Sequence, residues 1–596
     1  MSFFDDASLV MIPSGYKDQK VYSVKPIDGS GDLTFSRGSD IEATRVNANG
    51  YIEKAKVNLL LQSNSFDSVS WTKTVTSVTS GQAGYDGTSD AWLLEATATS
   101  GSLRQNYSDS GVFCFSSYAK AGTTDWIRIS FIDAGSHDAW FDLSTGSVGT
   151  VTGINADITS VGAGWYRINI AANVSSLVTV RFYPASGDGI NGDSGDNVYI
   201  QDAQINYGLV AQEYQETTTT TVVSGITNDL PRLDYSGGAS CPSLKLEPSR
   251  TNILTNDTYY GGSDWNKIGV SPTANNAISP EGVTNAVLLK ETAINDQHSL
   301  YPTISVTSGN AYTASCFVKQ GTGSAAPQYI GFRFRGGGFT DAGGLVVDLV
   351  NKVATYEAGS LSDHKIEDYG NGWLRVSITQ TASVTSSTAG LVLFFNNNIS
   401  NAYSTDYTGD TNADVLVYGM QIESGNFVSS LIPCYGTSAT RTADACSKTG
   451  ISSLIGQTEG TLFIDIDFKN MGTGVVQVIA SIDDSANNKR IEIWANGNSV
   501  NGFIGATTGG NITIGTTTLT DGHHKLVLAY KQSGDHAFYI DGTQIGTSST
   551  SYTIPSLNNF RLFYWNNALY PQVEYKQALL FPTRLPNSDL ATLTSL

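Results

Sequence analysis

The chain has 596 residues, of which only 15% are charged and 61 are glycine, and its formal net charge is −20. This length exceeds what one hydrophobic core can organise, so it predicts several domains. A groove for DNA or RNA needs a positive field, and the acidic composition therefore argues against a nucleic-acid partner. The five scattered cysteines provide neither a disulfide framework nor a metal-binding pair.

Short segments of alternating apolar and polar residues, separated by glycine-rich turns, fill nearly the whole chain and predict an all-β protein. The first residues show no basic segment followed by an apolar run, so we expect neither a signal peptide nor membrane insertion. Residues 1–57 contain one short alternating segment at 33–37 and a turn sequence at 47–50. We interpret residues 1–57 as an extended N-terminal arm.

Two long segments repeat the same motifs in the same order. The clearest match joins residues 162–170, GAGWYRINI, to residues 370–378, GNGWLRVSI. Each copy is a glycine turn followed by a strand whose alternating apolar residues need a second layer to cover them. On the opposite face, each indole lies two residues from an arginine, so we expect Trp165 to stack on Arg167.

The collinear matches indicate a duplication that produced two related β-sandwiches. Module 1 spans residues 58–215 and module 2 spans residues 252–436. The segments 216–251 and 437–459 are predicted to be linkers, because threonine runs and turn residues dominate the first and the second has no long apolar segment.

Closely spaced alternating segments from residue 460 onward predict a third antiparallel sandwich at 460–596. The dipeptide Asp541-Gly542 lies between two such segments and is typical of a tight hairpin turn. The tail that follows Pro586 provides capping residues and predicts a short terminal helix.

Three motifs at the domain junctions resemble the lead-in segments of tailed-phage fibre, spike and minor tail proteins. They are FSRGS at 35–39 with ATRVN at 43–47, PRLDY at 231–235 with LEPSRTNIL at 246–254, and ATRTAD at 439–444. The two modules resemble jelly-roll carbohydrate-binding modules, and the last domain resembles concanavalin A-like and laminin-G-like sandwiches. The implied fold is two jelly rolls plus a concanavalin A-like sandwich.

This resemblance implies a virion structural protein, a tail fibre or head spike on the exterior of the phage particle, that binds host surface glycans for adsorption. It also implies other virion proteins as partners, a homotrimer, and an N-terminal arm that is a candidate for virion attachment. No cofactor is required. The alternatives are a purely structural decoration or connector protein without sugar binding, and a depolymerase. Common hydrolase motifs are missing from the sequence, so we expect no enzymatic activity.

Sugar-binding modules lay pyranose rings on aromatic faces, so the aromatic residues that differ between the copies are the candidate binding residues. They are Trp92, Trp126, Trp140, Tyr259, Tyr260 and Tyr301. Trp126 and Trp140 are the strongest candidates because each lies close to a polar loop. The alternative for all six is packing in a core or between subunits. The tryptophans that recur in both copies are predicted to be structural: Trp71, Trp165, Trp265 and Trp373.

The resemblance to jelly-roll modules also implies a structural Ca²⁺ near the last strand of module 1, with oxygen ligands. Asp202 and Asp196 are the candidate ligands. Module 2 has Gly419 at the position of Asp202, which argues against a site shared by both copies. The alternative is that these carboxylates are solvated turn residues.

Overall fold

The computed structural model describes residues 2–133, 135–176, 178–396, 405–469, 476–484, 489–506, 510–554, 556–562 and 572–596. Antiparallel β-strands make up nearly all the regular structure in these ranges, which confirms the all-β prediction. Within them, neither α-helix is long and apolar enough to cross a membrane. All five cysteines are free thiols, and only Cys241 is exposed.

The chain begins with a short helix and three strands that pair with one another in sequence: α1 (Phe3–Asp6), β1 (Leu9–Lys17), β2 (Lys20–Lys25) and β3 (Leu33–Ser36). Three short strands then lead into module 1: β4 (Thr44–Val46), β5 (Ile52–Lys54) and β6 (Lys56–Asn58).

Module 1 is a sandwich of two antiparallel sheets. Its strands are β7 (Thr72–Thr74), β8 (Thr76–Gln82), β9 (Ala91–Ala96), β10 (Ser102–Tyr107), β11 (Gly111–Ala121), β12 (Trp126–Ile132), β13 (Ser136–Asp142), β14 (Ser147–Thr152), β15 (Asn155–Gly162), β16 (Trp165–Val174), β17 (Val178–Gly187), β18 (Ile190–Asn191) and β19 (Asn197–Tyr207). The first sheet has the order β14-β13-β12-β17-β10-β7, and the second has the order β15-β16-β11-β19-β9-β8. Phe115, Ile129 and Phe182 belong to the core between them.

The segment between the modules contains β20 (Val222–Ser224), β21 (Leu233–Asp234), a 3-10 turn (Ser236–Gly238) and β22 (Ser243–Leu246). Module 2 follows with β23 (Arg250–Asn252), β24 (Trp265–Ile268), β25 (Val270–Ile278), β26 (Thr284–Glu291), β27 (Asn295–Asp296), β28 (Ser299–Pro302), β29 (Ile304–Val306), β30 (Ala311–Gln320), β31 (Tyr329–Arg335), β32 (Gly344–Asp348), β33 (Val353–Ala358), β34 (Asp363–Asp368), β35 (Leu374–Thr381), β36 (Ser386–Phe395), β37 (Tyr407–Thr408) and β38 (Asp414–Ser424).

Module 2 has the same topology as module 1. Its two sheets run β33-β32-β31-β36-β28-β24 and β34-β35-β30-β38-β26-β25, which matches module 1 strand for strand. The collinear sequence matches therefore correspond to equivalent strands of two similar sandwiches.

The next strand, β39 (Ala439–Arg441), pairs with β23 of module 2. The remaining strands complete a third unit, and they are β40 (Ala445–Thr449), β41 (Glu459–Phe468), β42 (Val476–Asp483), β43 (Arg490–Asn496), β44 (Ser499–Gly505), β45 (Asn511–Thr518), β46 (Gly522–Lys531), β47 (His536–Ile540), β48 (Thr543–Ser548), β49 (Asn559–Leu562) and β50 (Val573–Phe581). The predicted terminal helix is present as α2 (Asn587–Leu593). Asp541 and Gly542 both have positive φ between β47 and β48, which confirms the predicted hairpin turn.

This third unit, which we call the C-terminal sandwich, is built from three separate chain segments. Its strand path is β45-β44-β43-β42-β49-β40-β3-β2-β1-β50-β41-β46-β47-β48, with β22 beside β50 and β21 beside β22. Residues 9–36 and 233–246 thus complete a sheet whose other strands come from the end of the chain. Modules 1 and 2 are insertions between these segments.

This topology corrects the interpretation of residues 1–57 as an extended arm. Alternate residues of β1 and β3 lie in the core of the C-terminal sandwich, namely Leu9, Met11, Leu33 and Phe35. An arm on the surface would leave these side chains in water, whereas pairing of β1 with β50 and of β3 with β40 buries them. The segments predicted as linkers likewise supply β21, β22 and β40.

The repeated glycine–tryptophan strands are β16 and β35, and their arginines stack differently from the prediction. The guanidinium of Arg167 lies 5.6 Å from the Tyr118 ring, and that of Arg375 lies 5.2 Å from the Phe317 ring. Each ring belongs to the residue directly opposite on the neighbouring strand. Directly opposed side chains on neighbouring strands are closer than residues two apart on one strand. Each arginine therefore stacks on the ring of the neighbouring strand and not on the tryptophan of its own strand.

The four recurring tryptophans are all buried, as predicted for structural residues: Trp71, Trp165, Trp265 and Trp373. Trp71 and Trp265 belong to the cores of modules 1 and 2, respectively. Trp373 also donates a hydrogen bond of 3.1 Å from Nε1 to the carbonyl oxygen of Ile278.

The three junction motifs meet in one buried network of charges at the points where the chain passes between units. Arg232 Nη1 lies 2.6 Å from Glu247 Oε2, and Arg441 Nη1 lies 3.0 Å from the same oxygen. Asp444 pairs with Arg232 and with Arg37. All five side chains have no exposed surface. Burial opposes ionisation of Glu247, yet Arg441 and Arg232 hold its pKa well below the usual value.

Candidate functional site

The outer face of the first sheet of module 1 combines aromatic and arginine side chains. Ile127 and Ile129 of β12 point into the core, so Trp126 and Arg128 lie on the opposite face. The register of the sheet places Trp140 of β13 and Tyr183 of β17 directly opposite Arg128. We call Trp126, Arg128, Trp140 and Tyr183 the aromatic–arginine face.

Arg128 is fixed at the centre of this face. Its guanidinium lies 4.9 Å from the Trp140 ring and 4.5 Å from the Tyr183 ring, on either side. Asp138 Oδ1 accepts hydrogen bonds of 3.0 Å from Nε and 2.7 Å from Nη2 of Arg128. The third nitrogen, Nη1, donates to Asn191 Oδ1 at 3.0 Å. A carboxylate, an amide and two rings therefore hold this guanidinium in one orientation.

The aromatic members of the face differ in accessibility. Trp140 is 8% exposed and Tyr183 is 7% exposed, so both are largely covered. Trp126 is half-buried and packs on Gly149, where an added Cβ would lie 2.6 Å from the indole ring. Trp126 therefore offers the accessible ring surface. The indole Nε1 of Trp140 is buried without a hydrogen-bond partner among the described residues.

Two more arginines extend the face toward β10. Arg104 of β10 lies opposite Arg181 of β17 in the register, and both are half-buried. Arg181 Nη1 donates a hydrogen bond of 3.1 Å to the hydroxyl of Tyr183. The face therefore presents several guanidinium donors next to aromatic rings, although the chain as a whole is acidic.

The structure places Trp92, Tyr259 and Tyr260 away from any open face. Trp92 lies in the core of module 1, where its Nε1 donates to the carbonyl oxygen of Asn64 at 3.0 Å. Tyr260 is 1% exposed in the core of module 2, and its hydroxyl donates to the carbonyl oxygen of Asp257 at 2.7 Å. Tyr259 is half-buried and packs against residues of module 1. These contacts correct the assignment of Trp92 and Tyr260 as ligand platforms, because neither has a free face.

Tyr301 lies on the equivalent face of module 2, which has a different surface. Tyr329 occupies the position of Trp126. Tyr329 lies opposite Asp348 at the end of β32, just as Trp126 lies opposite Asp142 at the end of β13. Gly331 occupies the position of Arg128, and the Phe394 ring fills the space that a side chain there would need. Beside this ring, a cavity of about 290 Å³ opens near Tyr301.

The carboxylates suggested as calcium ligands have protein partners. Asp202 is 7% exposed and accepts a hydrogen bond of 3.0 Å from the hydroxyl of Tyr85. Burial, together with the charges of Asp90 and Asp86, raises the pKa of Asp202 to about 7. Asp196 accepts hydrogen bonds from Ser186 Oγ and the Asp193 amide. Among the described residues, no group of three or more His, Cys, Asp or Glu side chains could hold a metal ion.

Arg128, Tyr183 and the two other arginines of this face were not among the residues predicted from the sequence. The sequence did contain a signal for Arg128. Residues two apart on a strand lie on the same face, which places Arg128 on the face of Trp126. The same alternation places Trp92 with Leu94 on the core side of β9. Tyr183 joins the face only through the pairing of β12 with β17, which the sequence does not reveal.

Comparisons with known proteins give structural neighbours of low similarity. No family model matches the chain, and no curated protein matches it. The binding domain of botulinum neurotoxin DC in complex with rat synaptotagmin II is 12% identical, with a TM-score of 0.21. That match covers 25% of this chain and 39% of the neurotoxin chain. The CBM40 of Ruminococcus gnavus IT-sialidase, bound to α2,3-sialyllactose, is 13% identical, with a TM-score of 0.22. This match covers 25% of the present chain and 91% of the CBM40 chain.

Proposed function

We propose that the protein binds glycans of a bacterial surface through the aromatic–arginine face, as a non-enzymatic fibre or spike protein on the exterior of a phage particle. The observation that carries the proposal is Arg128, which Asp138 holds between two rings beside the partly exposed Trp126. An aromatic ring offers its face to the C–H groups of a pyranose, and fixed guanidinium donors bind the hydroxyls. Both elements lie next to each other on this face.

The three junction motifs support the assignment to a virion, because they resemble lead-in segments of phage fibre and spike proteins. In such a particle, the other virion proteins and the host glycans are the partners. Weak binding at single sites becomes strong attachment when several copies are linked, with gains of about 10² to 10⁴ in apparent affinity. We therefore propose a homotrimer.

The alternative proposal is a decoration or connector protein of the virion that does not bind sugar. It is favoured by the low exposure of Trp140 and Tyr183, which leaves Trp126 as the accessible ring of the face. On this alternative, Arg128 and its ring partners only stabilise the sheet.

A glycan array probed with the full-length protein separates these proposals. We expect binding to a subset of bacterial glycans, and weaker binding of the same glycans by Trp126→Ala. Tyr22→Ala is the matched control, because Tyr22 is an exposed aromatic residue on β2, outside both modules. Absence of binding to every glycan favours the decoration protein. Shortened glycans detected by mass spectrometry after incubation would identify a depolymerase and contradict the proposal.

A further inference from the structure

The cavity of about 290 Å³ on the outer face of module 2 is lined in part by basic residues, whereas the chain as a whole is acidic. It lies where β28, β31 and β36 adjoin, at the lower end of the size range of small-molecule sites. The residues around it include Tyr301, Arg333, Arg335, Ser299, Gln297 and Phe394.

The charge of this lining is the reverse of the overall charge. Of the described residues that line the cavity, two are arginines and none is acidic, whereas the whole chain carries 54 acidic residues and a net charge of −20. The guanidinium of Arg335 lies 4.0 Å from the centre of the Tyr301 ring. Stacking on a ring fixes the orientation of a guanidinium without consuming its hydrogen-bond donors. Arg335 therefore offers oriented donors to a ligand.

A second polar group faces the cavity without a partner. Ser299 is 1% exposed, and its hydroxyl makes no hydrogen bond within the described part of the chain. Leaving a buried hydroxyl without a partner is unfavourable, so such groups are uncommon unless a ligand or water satisfies them. Together, Ser299 and Arg335 provide one neutral and one charged hydrogen-bonding group in the same cavity.

We propose that this cavity binds an acidic saccharide, one that carries a carboxylate or a phosphate. Arg335 and Arg333 bind the anionic group, while Ser299 and Gln297 bind hydroxyls and the Phe394 ring forms the apolar floor. This inference deepens the proposed glycan-binding function and rests on it. It assigns the two modules different ligands: module 1 presents an open face, and module 2 presents a cavity selective for an anion.

The test is calorimetric titration of the full-length protein with a panel of short oligosaccharides. The panel contains uronic-acid oligomers and sugar phosphates, each with its carboxyl-reduced or dephosphorylated counterpart, and inorganic phosphate alone. We expect acidic members to bind more tightly than their neutral counterparts, and Arg335→Gln to weaken that binding about tenfold or more. Raising the NaCl concentration from 50 to 500 mM should also weaken it, since the attraction is screened.

Lys352→Gln is the matched control for the loss of one positive charge. Lys352 belongs to module 2 but pairs with Asp368 at the surface, outside the cavity lining. We expect this variant to bind acidic saccharides as the wild type does. The comparison of uronic-acid oligomers with sugar phosphates identifies which anion the cavity accepts.

Three results overturn the inference: equal affinity for acidic and neutral members, unchanged binding by Arg335→Gln, or equal affinity for inorganic phosphate and sugar phosphates. The first two can occur while Trp126→Ala still weakens binding on the glycan array, in which case only the cavity proposal fails. Conversely, acidic binding that depends on Arg335 but occurs without any effect of Trp126→Ala supports the cavity and overturns the role of the aromatic–arginine face.

Discussion

Arg232 and Glu247 form a fully buried ion pair, with 2.6 Å between Nη1 and Oε2, at the two ends of the segment that crosses the C-terminal sandwich. The chain returns from module 1 just before Arg232 and starts module 2 just after Glu247. Arg441 joins the same carboxylate where the chain returns from module 2. The junctions of both inserted modules are therefore fixed to one another by a single network.

Replacement of Glu247 by alanine should be strongly destabilising. The change leaves Arg232 and Arg441 buried without this carboxylate, and breaking a buried ion pair from one side costs about 3–5 kcal/mol. The measurement is the free energy of unfolding from urea titration. Asp368→Ala is the control, because its pair with Lys352 is about half exposed and should contribute less than about 1 kcal/mol. Equal effects of the two substitutions would show that the network is not a stabilising junction.

The C-terminal sandwich should not fold from the C-terminal segment alone. A fragment of residues 437–596 lacks β1–β3, which connect β50 to β40, and its core would be open where Leu33 and Phe35 belong. A fragment of residues 58–215 keeps the whole core of module 1 and should fold. Dispersion of amide signals in NMR spectra distinguishes the two cases. A well-dispersed spectrum for 437–596 would contradict the discontinuous topology.

The stability of the protein should depend on pH through Asp257. Burial, aided by the charge of Glu281 and opposed by Lys54, raises its pKa to about 7 from an ordinary value of 3.8. A carboxyl group whose pKa is higher in the folded state than in the unfolded state favours the folded state at low pH. This contribution to the free energy of unfolding is lost as the pH rises from about 4 to 7.

Asp257→Asn removes this titration. We expect its melting temperature to equal that of the wild type within a few degrees at pH 4.5 and to exceed it at pH 8. The control is Asp18→Asn, at an exposed position. A difference between Asp257→Asn and wild type that is constant across this range would contradict the assignment.

The oligomeric state follows from the proposed multivalent attachment. Light scattering coupled to size-exclusion chromatography should give three times the chain mass of 63.4 kDa. A mass of one chain would contradict the trimer and would weaken the argument from linked binding sites.

Local pattern in the sequence predicts the strands of this fold but not its connections. The alternation of Leu374, Val376 and Ile378 identifies a strand with one buried face, and β35 has that face in the core of module 2. Pairing of Leu9 with Leu580 depends on partners at opposite ends of the chain, and no local pattern shows it.

For the candidate site as well, single residues could be predicted from the sequence but the contacts between strands could not. Trp126 was identified as an unshared aromatic residue beside a polar loop, and it does lie on an outer face. The role of Arg128 depends on rings from two neighbouring strands, and the junction charges depend on residues from three distant motifs. The motifs were recognisable in the sequence, but the contacts among them were not.

The most direct test of the central claim is the affinity of the full-length protein for the glycan that it binds most strongly on the array. We predict that Trp126→Ala weakens this affinity about tenfold, from the loss of roughly 1.5 kcal/mol of ring contact, and that Tyr22→Ala does not. Unchanged affinity in Trp126→Ala would contradict glycan binding at the aromatic–arginine face.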